Sequence, residues 1–307
     1  MTSLTSLHHR DGHLGWDRSI PPVLEVASGD EVELTLADCF AGQLTGDATG
    51  ADVAALDLDG ANPLTGPVRV AGARAGDVLA VEILEVEVGK TGWTTLIPGF
   101  GLLADEFPDP HVIVSDIGPD TVVFGAIARL PRRPFLGTVG LAPAEPGHHS
   151  VIPPRRVGGN LDCRDVRPGV TLLLPVEVDG ALLSVGDPHA AQGDGEVCGT
   201  AVETTATARL RLTVRAEVNL AAPALELPAD VEPPGGGRFV TTGVGPDLYE
   251  GARAATRAMI EHLGRVHDLA PADAYALCSV AGNLRIPEVV DAPNWVVALD
   301  LDTSVVT

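Results

Sequence analysis

The chain has 307 residues, with 42 Asp and Glu against 20 Lys and Arg, a formal net charge of -22, and 45% hydrophobic residues. This composition is globular rather than disordered, and its acidity argues against nucleic-acid partners and anionic membrane surfaces. Four scattered cysteines without a CxxC pair, no apolar run of bilayer length, and an N-terminus without a charged-then-apolar leader predict a soluble, cytoplasmic protein.

Glycine (35) and proline (25) are abundant, which predicts many short elements joined by tight turns. Apolar and polar residues alternate along Glu31–Leu36 and Val78–Val88, the period of half-buried strands. Both runs open alike, after Ser28-Gly29-Asp30 and Ala75-Gly76-Asp77. Further strands are expected over residues 121–130, 170–178 and 208–218. The stretch 220–238, rich in Pro, Ala and Gly, is the best linker candidate. Beyond it, Leu248, Ala252, Ala255, Met259 and Leu263 fall on one helical face, with Asp247 placed to cap the helix and Gly264 to end it. A short helix is expected from Pro271 through Val280, then a strand over residues 295–301. The fold class expected is α+β and β-rich: a β-sandwich-like N-terminal part (1–219) carrying the site, and a smaller C-terminal α/β portion (220–307) behind a soft boundary.

Polar chemistry is densest in two stretches, Gly158-Gly159-Asn160-Leu161-Asp162 and residues 184–196. Three pairs there stand two residues apart: Asn160 with Asp162, Asp187 with His189, and Asp194 with Glu196. On extended chain such pairs project from one face, and a histidine among carboxylates suits zinc or a similar divalent ion. The competing reading is an ordinary polar turn region, since Gly-Asp and Asp-Gly are common turn dipeptides. No zinc-finger or HExxH spacing decides between them. His148-His149 makes a poor metal pair, because adjacent strand residues face opposite ways. His13 and Asp17 are further candidates to reach the site, whereas Trp16 reads equally well as a core anchor. Phe100 and Leu102 can wall a small substrate or belong to the core.

The strings PFLGTVGLAPA, GGNLDCRDV and LLLPVEVDGALLSVGDPHAAQGDGEVCGTAVET resemble the acetamidase/formamidase family. The resemblance extends to His13-Leu14-Gly15-Trp16-Asp17, Asn62 to Val68, Ile97 to Leu103, Tyr275 to Gly282 and Ile286 to Asp291, nearly the whole chain outside 220–238. It implies hydrolysis of small amides such as formamide and acetamide, with γ-lactam opening in some relatives. It also implies an associated metal, zinc before calcium, and self-association as a homodimer or higher homo-oligomer. Carried onto this sequence, the metal falls to Asp162 and His189, then Asp187. Glu196, with Asp194 beside it, is the expected catalytic carboxylate, and Gln192 and Asn160 are the expected substrate-binding residues.

Amidases commonly use a Cys nucleophile with Glu and Lys, a Ser nucleophile with Lys, or a metal that polarises the carbonyl and activates water. The only lysine here, Lys90, stands in a Gly-bounded turn, so the metal route gains by elimination. In that route Glu196 takes the proton from water and passes it to departing ammonia, and the ion or N–H groups of the Gly-rich loop are expected to hold the oxyanion. A Cys198 nucleophile and a non-catalytic amide- or metal-binding protein are the alternatives.

Overall fold

A computed structural model of the protein describes residues 4–216, 220–231 and 237–306. Three sheets carry the fold: one of nine strands, one of six and one of four. The nine-stranded sheet is built on Val78–Val88, which pairs antiparallel with Ala206–Arg215 on one side and Thr171–Pro175 on the other. Its alternation separates two cores. Leu79, Val81 and Ile83 point into the main core, shared with Leu136, Val139, Leu183 and Val185 of the six-stranded sheet. Val78 and Ala80 point the other way, against the C-terminal helices. The expected sandwich is this first packing, and the α-containing portion is the second.

The helix Leu248–His267 lies on that outer face with Ala255, Met259 and Leu263 buried at four-residue spacing. Asp247 caps it by accepting the Glu250 N–H. The helix runs past Gly264 to His267 and ends at Asp268, whose left-handed backbone (φ 55°) supplies the terminus expected of glycine. The second helix is Pro271–Ala281 and the last long strand Trp295–Asp302.

Two expectations are corrected. Residues 121–130 form two strands, Thr121–Phe124 and Ala128–Pro131, folded back on each other in a hairpin that turns at Gly125 (φ 51°). The stretch 220–238 contains the strand Ala224–Leu227, which pairs with Thr171–Pro175 and Arg238–Gly245, so the nine-stranded sheet passes through it. The strand expected over 208–218 is Ala206–Arg215, and its last two expected residues, 217 and 218, lie outside the described residues. Among the described residues no helix is long and apolar enough to cross a membrane.

Candidate active site

Two strands and two loops assemble the site on the six-stranded sheet. In Leu183–His189, Asp187 leaves the extended region (φ 54°), and Pro188 and His189 then pair again with Leu136 and Phe135 of Phe135–Leu141. Phe135 meets the His189 ring edge-on, with centroids 4.9 Å apart. Gly137 lies where Asp162 and His189 converge: a Cβ there would come within 2.5 Å of Asp162 Oδ1 and 2.7 Å of His189 Cε1. Gly137 O also accepts from the Leu161 and Asp162 N–H groups at 3.0 and 3.2 Å, which turns Asp162 (φ 42°) inward after the strand Gly158–Asn160. Glu196 (φ 44°) sits in a tight loop, its O accepting from Gly199 N at 2.7 Å. Three carboxylate residues in left-handed backbone each cost on the order of 1 kcal/mol, strain that clusters where function over-determines the local structure.

Asp162, His189 and Glu196 are buried, with one ligand atom from each within 4.8 Å of the others. His189 turns Nδ1 toward Asp162 Oδ1 at 3.9 Å. Its Nε2 faces Asp187 Oδ1 at 3.1 Å and Glu203 Oε2 at 3.0 Å. Glu203 is fixed by paired backbone bonds to Trp93 (2.9 and 2.8 Å) and by Ala201 N donating to its Oε1 at 2.6 Å. Among the described residues both Asp162 oxygens and His189 Nδ1 lack a hydrogen-bond partner. Buried polar atoms are nearly always satisfied, so three orphans facing one point ask for a ligand. One imidazole with carboxylates is a donor set that fits a divalent metal, and a carboxylate behind the far ring nitrogen is the usual support of a metal-bound histidine.

The electrostatics agree. Burial pushes Asp162 well above the ordinary carboxylate range, and the Asp187 charge adds to it. Burial and then the Asp162 charge do the same to Glu196 and to Asp291. Glu203 is raised by burial, and Glu288 is pushed up to about 7 by the same cause. Burial opposes ionisation of Asp187 too, but the His189 charge and hydrogen bonds outweigh it and hold the carboxyl low. Burial would lower His189, yet Glu203 and Asp187 together hold the imidazole well above its usual value. So many carboxylates cannot all ionise side by side without positive charge, supplied by protons or by a cation.

Asp162, Asp187, Glu196 and Glu203 line a cavity of about 330 Å³ together with Asn160 and Asp291. The other expected residues fall elsewhere or are already engaged. Asn160 accepts from Thr138 and Asn62 and donates to Asp291 Oδ2 at 2.7 Å, so its amide holds Asp291. Gln192 donates to the Asp162 backbone O at 2.6 Å and lines neighbouring cavities. Asp194 pairs with Arg164 at 3.0 Å and Arg285 at 3.3 Å, outside the carboxylate cavity. His13 bonds Gly15 O and Ser184 Oγ, and Asp17 caps Ser19, so neither reaches the cluster. Trp16 is a core anchor beside Leu64 and Val151. Phe100 does wall the cavity, whereas Leu102 is half exposed. The N–H groups of Gly195, Glu196 and Gly199 are bonded to carbonyls, which removes them as oxyanion donors. Sequence reasoning missed Glu203, Asp291, Glu288, Cys39 and Gly137 as parts of the site. Glu203, Gly137, Glu288 and Asp291 stand inside the stretches that carry the family resemblance, but nothing local distinguishes them there.

The family model described as Acetamidase/Formamidase family matches residues 2–149 and 144–307. The acetamidase of Bacillus halodurans, a solved structure, superposes with a TM-score of 0.88 at 35% identity, covering 98% of each chain. A γ-lactamase from Delftia acidovorans superposes with a TM-score of 0.69 at 25% identity, covering 96% of this chain and 89% of its own. The acetamidase of Mycolicibacterium smegmatis is 29% identical over 61% of this chain, which spans 62% of that relative's length.

Proposed function

The chain belongs to the acetamidase/formamidase family, and on that premise we propose that it hydrolyses the C–N bond of small amides with the help of a divalent metal ion. The observation that carries this reading is the convergence of the orphaned Asp162 carboxylate and His189 Nδ1 with Glu196 at one buried point. Asp162 and His189 would hold the ion, and zinc suits a set containing an imidazole better than calcium, which favours oxygen alone. When bound, the ion supplies Lewis acidity toward the carbonyl and lowers the pKa of water toward ~7.

The chain's own residues do the rest. Asp187 and Glu203 orient the His189 ring from its Nε2 side. Glu196, buried beside Asp162 and His189, is placed to act as the general base. It takes a proton from the attacking water as the C–O bond forms, then delivers it to nitrogen as the C–N bond breaks, releasing ammonia and the acid. Asn160 keeps Asp291 beside Asp162. The described cysteines are all free, which suits a cytoplasmic setting. Self-association has a suitable place at the edge strand Gly282–Glu288, where Leu284 and Ile286 are exposed.

Ammonia release from formamide and acetamide, before and after chelation and metal restoration, tests the proposal. Release that falls with chelator and returns with zinc supports it. Release from protein shown to be metal-free overturns the metal's role.

A further inference from the structure

Six of the chain's 20 basic residues, Arg132, Arg133, Arg164, Arg167, Arg238 and Arg285, line one cavity of about 580 Å³. They gather there in a chain whose net charge is -22. Among the described residues Asp165 is the only carboxylate on the same wall. The carboxylate cavity is the opposite case, with no Lys or Arg lining it, and the two cavities share no lining residue among those described. The arginines converge because all three sheets contribute to this wall. Arg132 and Arg133 follow Ala128–Pro131 of the four-stranded sheet and precede Phe135–Leu141 of the six-stranded one. Arg238 opens Arg238–Gly245, and Arg285 lies in Gly282–Glu288, both in the nine-stranded sheet.

The arginines are of two kinds. Three are held by carboxylates. Arg285 spans Asp165, Asp194 at 3.3 Å and Asp300 at 2.9 Å. Arg238 faces Asp300 at 3.5 Å and Asp165 at 3.8 Å. Arg164 meets the two Asp194 oxygens at 3.0 and 3.1 Å. Guanidinium groups fixed in this way lose little freedom when a ligand arrives. Arg132 and Arg133 differ. Their backbone is pinned, with Arg132 N donating to Asp120 O at 3.0 Å and Arg133 N to Ala190 O at 2.9 Å. Their guanidinium groups have no carboxylate partner among the described residues. Two adjacent cations on one cavity wall repel each other unless an anion joins them.

We propose that this cavity binds a doubly charged phosphate group, either as inorganic phosphate or as the monoester of a small metabolite. A guanidinium offers paired N–H donors that match phosphate oxygens, and a dianion answers both unpaired cations where a single carboxylate would answer one. The volume, roughly twenty waters at ~30 Å³ each, leaves room for a small organic group beside the phosphate. The site backs onto the carboxylate cavity without opening on the same residues: Gln192 stands on its wall and donates to the Asp162 backbone O at 2.6 Å. The inference does not depend on the amidase reading.

The test is calorimetric titration of the metal-loaded protein with inorganic phosphate and with glycerol 3-phosphate at about pH 7.5, where both are largely dianions, against sodium chloride at matched ionic strength. Both phosphates should bind saturably, and the tighter of the two identifies the source of the group. Arg132→Ala/Arg133→Ala should raise both dissociation constants by at least about tenfold without changing the melting temperature of the phosphate-free protein. Arg132→Lys/Arg133→Lys keeps the charge and loses the paired donors, so it should fall between. Arg10→Ala/Arg18→Ala removes the same charge from exposed positions outside the cavity and should change the constants by less than about twofold. Heat that chloride reproduces, or no saturable binding of either phosphate, overturns the inference. So does equal weakening by the two alanine pairs, which would reduce the effect to net charge. Binding that survives Arg132→Ala/Arg133→Ala and disappears on chelation overturns it as well, and places the phosphate on the metal.

Discussion

Glu203 Oε2 lies 3.0 Å from His189 Nε2, while its other oxygen is tied to Ala201 N at 2.6 Å. Glu203 is thus a fixed carboxylate that faces the imidazole alongside Asp187, outside the Asp162–His189–Glu196 group. Such supporting carboxylates typically matter 10–100-fold in metal affinity or activity.

Glu203→Gln keeps the shape and removes the charge. It is expected to weaken zinc retention by about 10–100-fold, with activity recovering at high added zinc. Competition against a chromogenic chelator measures the affinity directly. An unchanged affinity would assign Glu203 to structure alone.

Gly137 tests whether the site depends on close approach. Gly137→Ala would place its Cβ within 2.5 Å of Asp162 Oδ1 and 2.8 Å of Asp187 O, in a core with no slack. The expected cost is about 1–3 kcal/mol of stability with a disproportionate loss of metal binding, because the clash falls on a site residue. Denaturant melts beside metal analysis separate the two effects.

The two nucleophile readings separate at Glu196 and Cys198. The Cys198 thiol donates to Thr200 O at 3.3 Å and lines a neighbouring cavity rather than the one holding Asp162. Cys198→Ser should retain most of the activity. Glu196→Gln should lower kcat by about 10²–10⁴-fold while zinc stays bound through Asp162 and His189. The reverse pattern would install Cys198 as the nucleophile. The cavity thiol Cys39 is no substitute, since burial and then the Glu203 charge push its pKa well up and keep it protonated.

Much of this was legible in the sequence for a definite reason. Period-two runs such as Val78–Val88 report a strand with one covered face, while the cover that the C-terminal helices add over Val78 and Ala80 on its other face leaves no such mark, and the Leu248–Leu263 stripe reports a helix with one covered face. Asp162, His189 and Glu196 were legible because they crowd two short polar stretches. Asp291, Asn62 and Glu203 were not, because a hydrogen bond across 131 residues or a bridge through Trp93 leaves no local pattern. Pair spacing also misjudged Asp194. It shares an i, i+2 relation with Glu196, but the left-handed backbone at Glu196 breaks the extended geometry that the rule assumes, and Arg164 and Arg285 hold Asp194 outside.

His262 offers a pH test away from the site. Its ring stacks on Phe239 with centroids 3.4 Å apart and planes within 6°, on the face where the long helix meets the nine-stranded sheet. Burial lowers its pKa to about 4, with the charges of Arg265 and His267 adding to the effect. Arg265 also donates toward Nδ1 at 3.4 Å, a contact only the neutral ring accepts. The unfolded chain takes up this proton near 6.5 and the folded chain only near 4. The contribution is therefore complete above about pH 6.5 and is lost as the pH falls toward 4. Because the ring is partly exposed, solvent screening reduces the loss to about 1–2 kcal/mol. His262→Leu keeps an apolar partner for Phe239 and cannot take up the proton. Its unfolding free energy should fall less between pH 7 and pH 5 than that of the parent protein. Equal losses in parent and variant, measured by urea unfolding at both pH values, would place the acid sensitivity elsewhere.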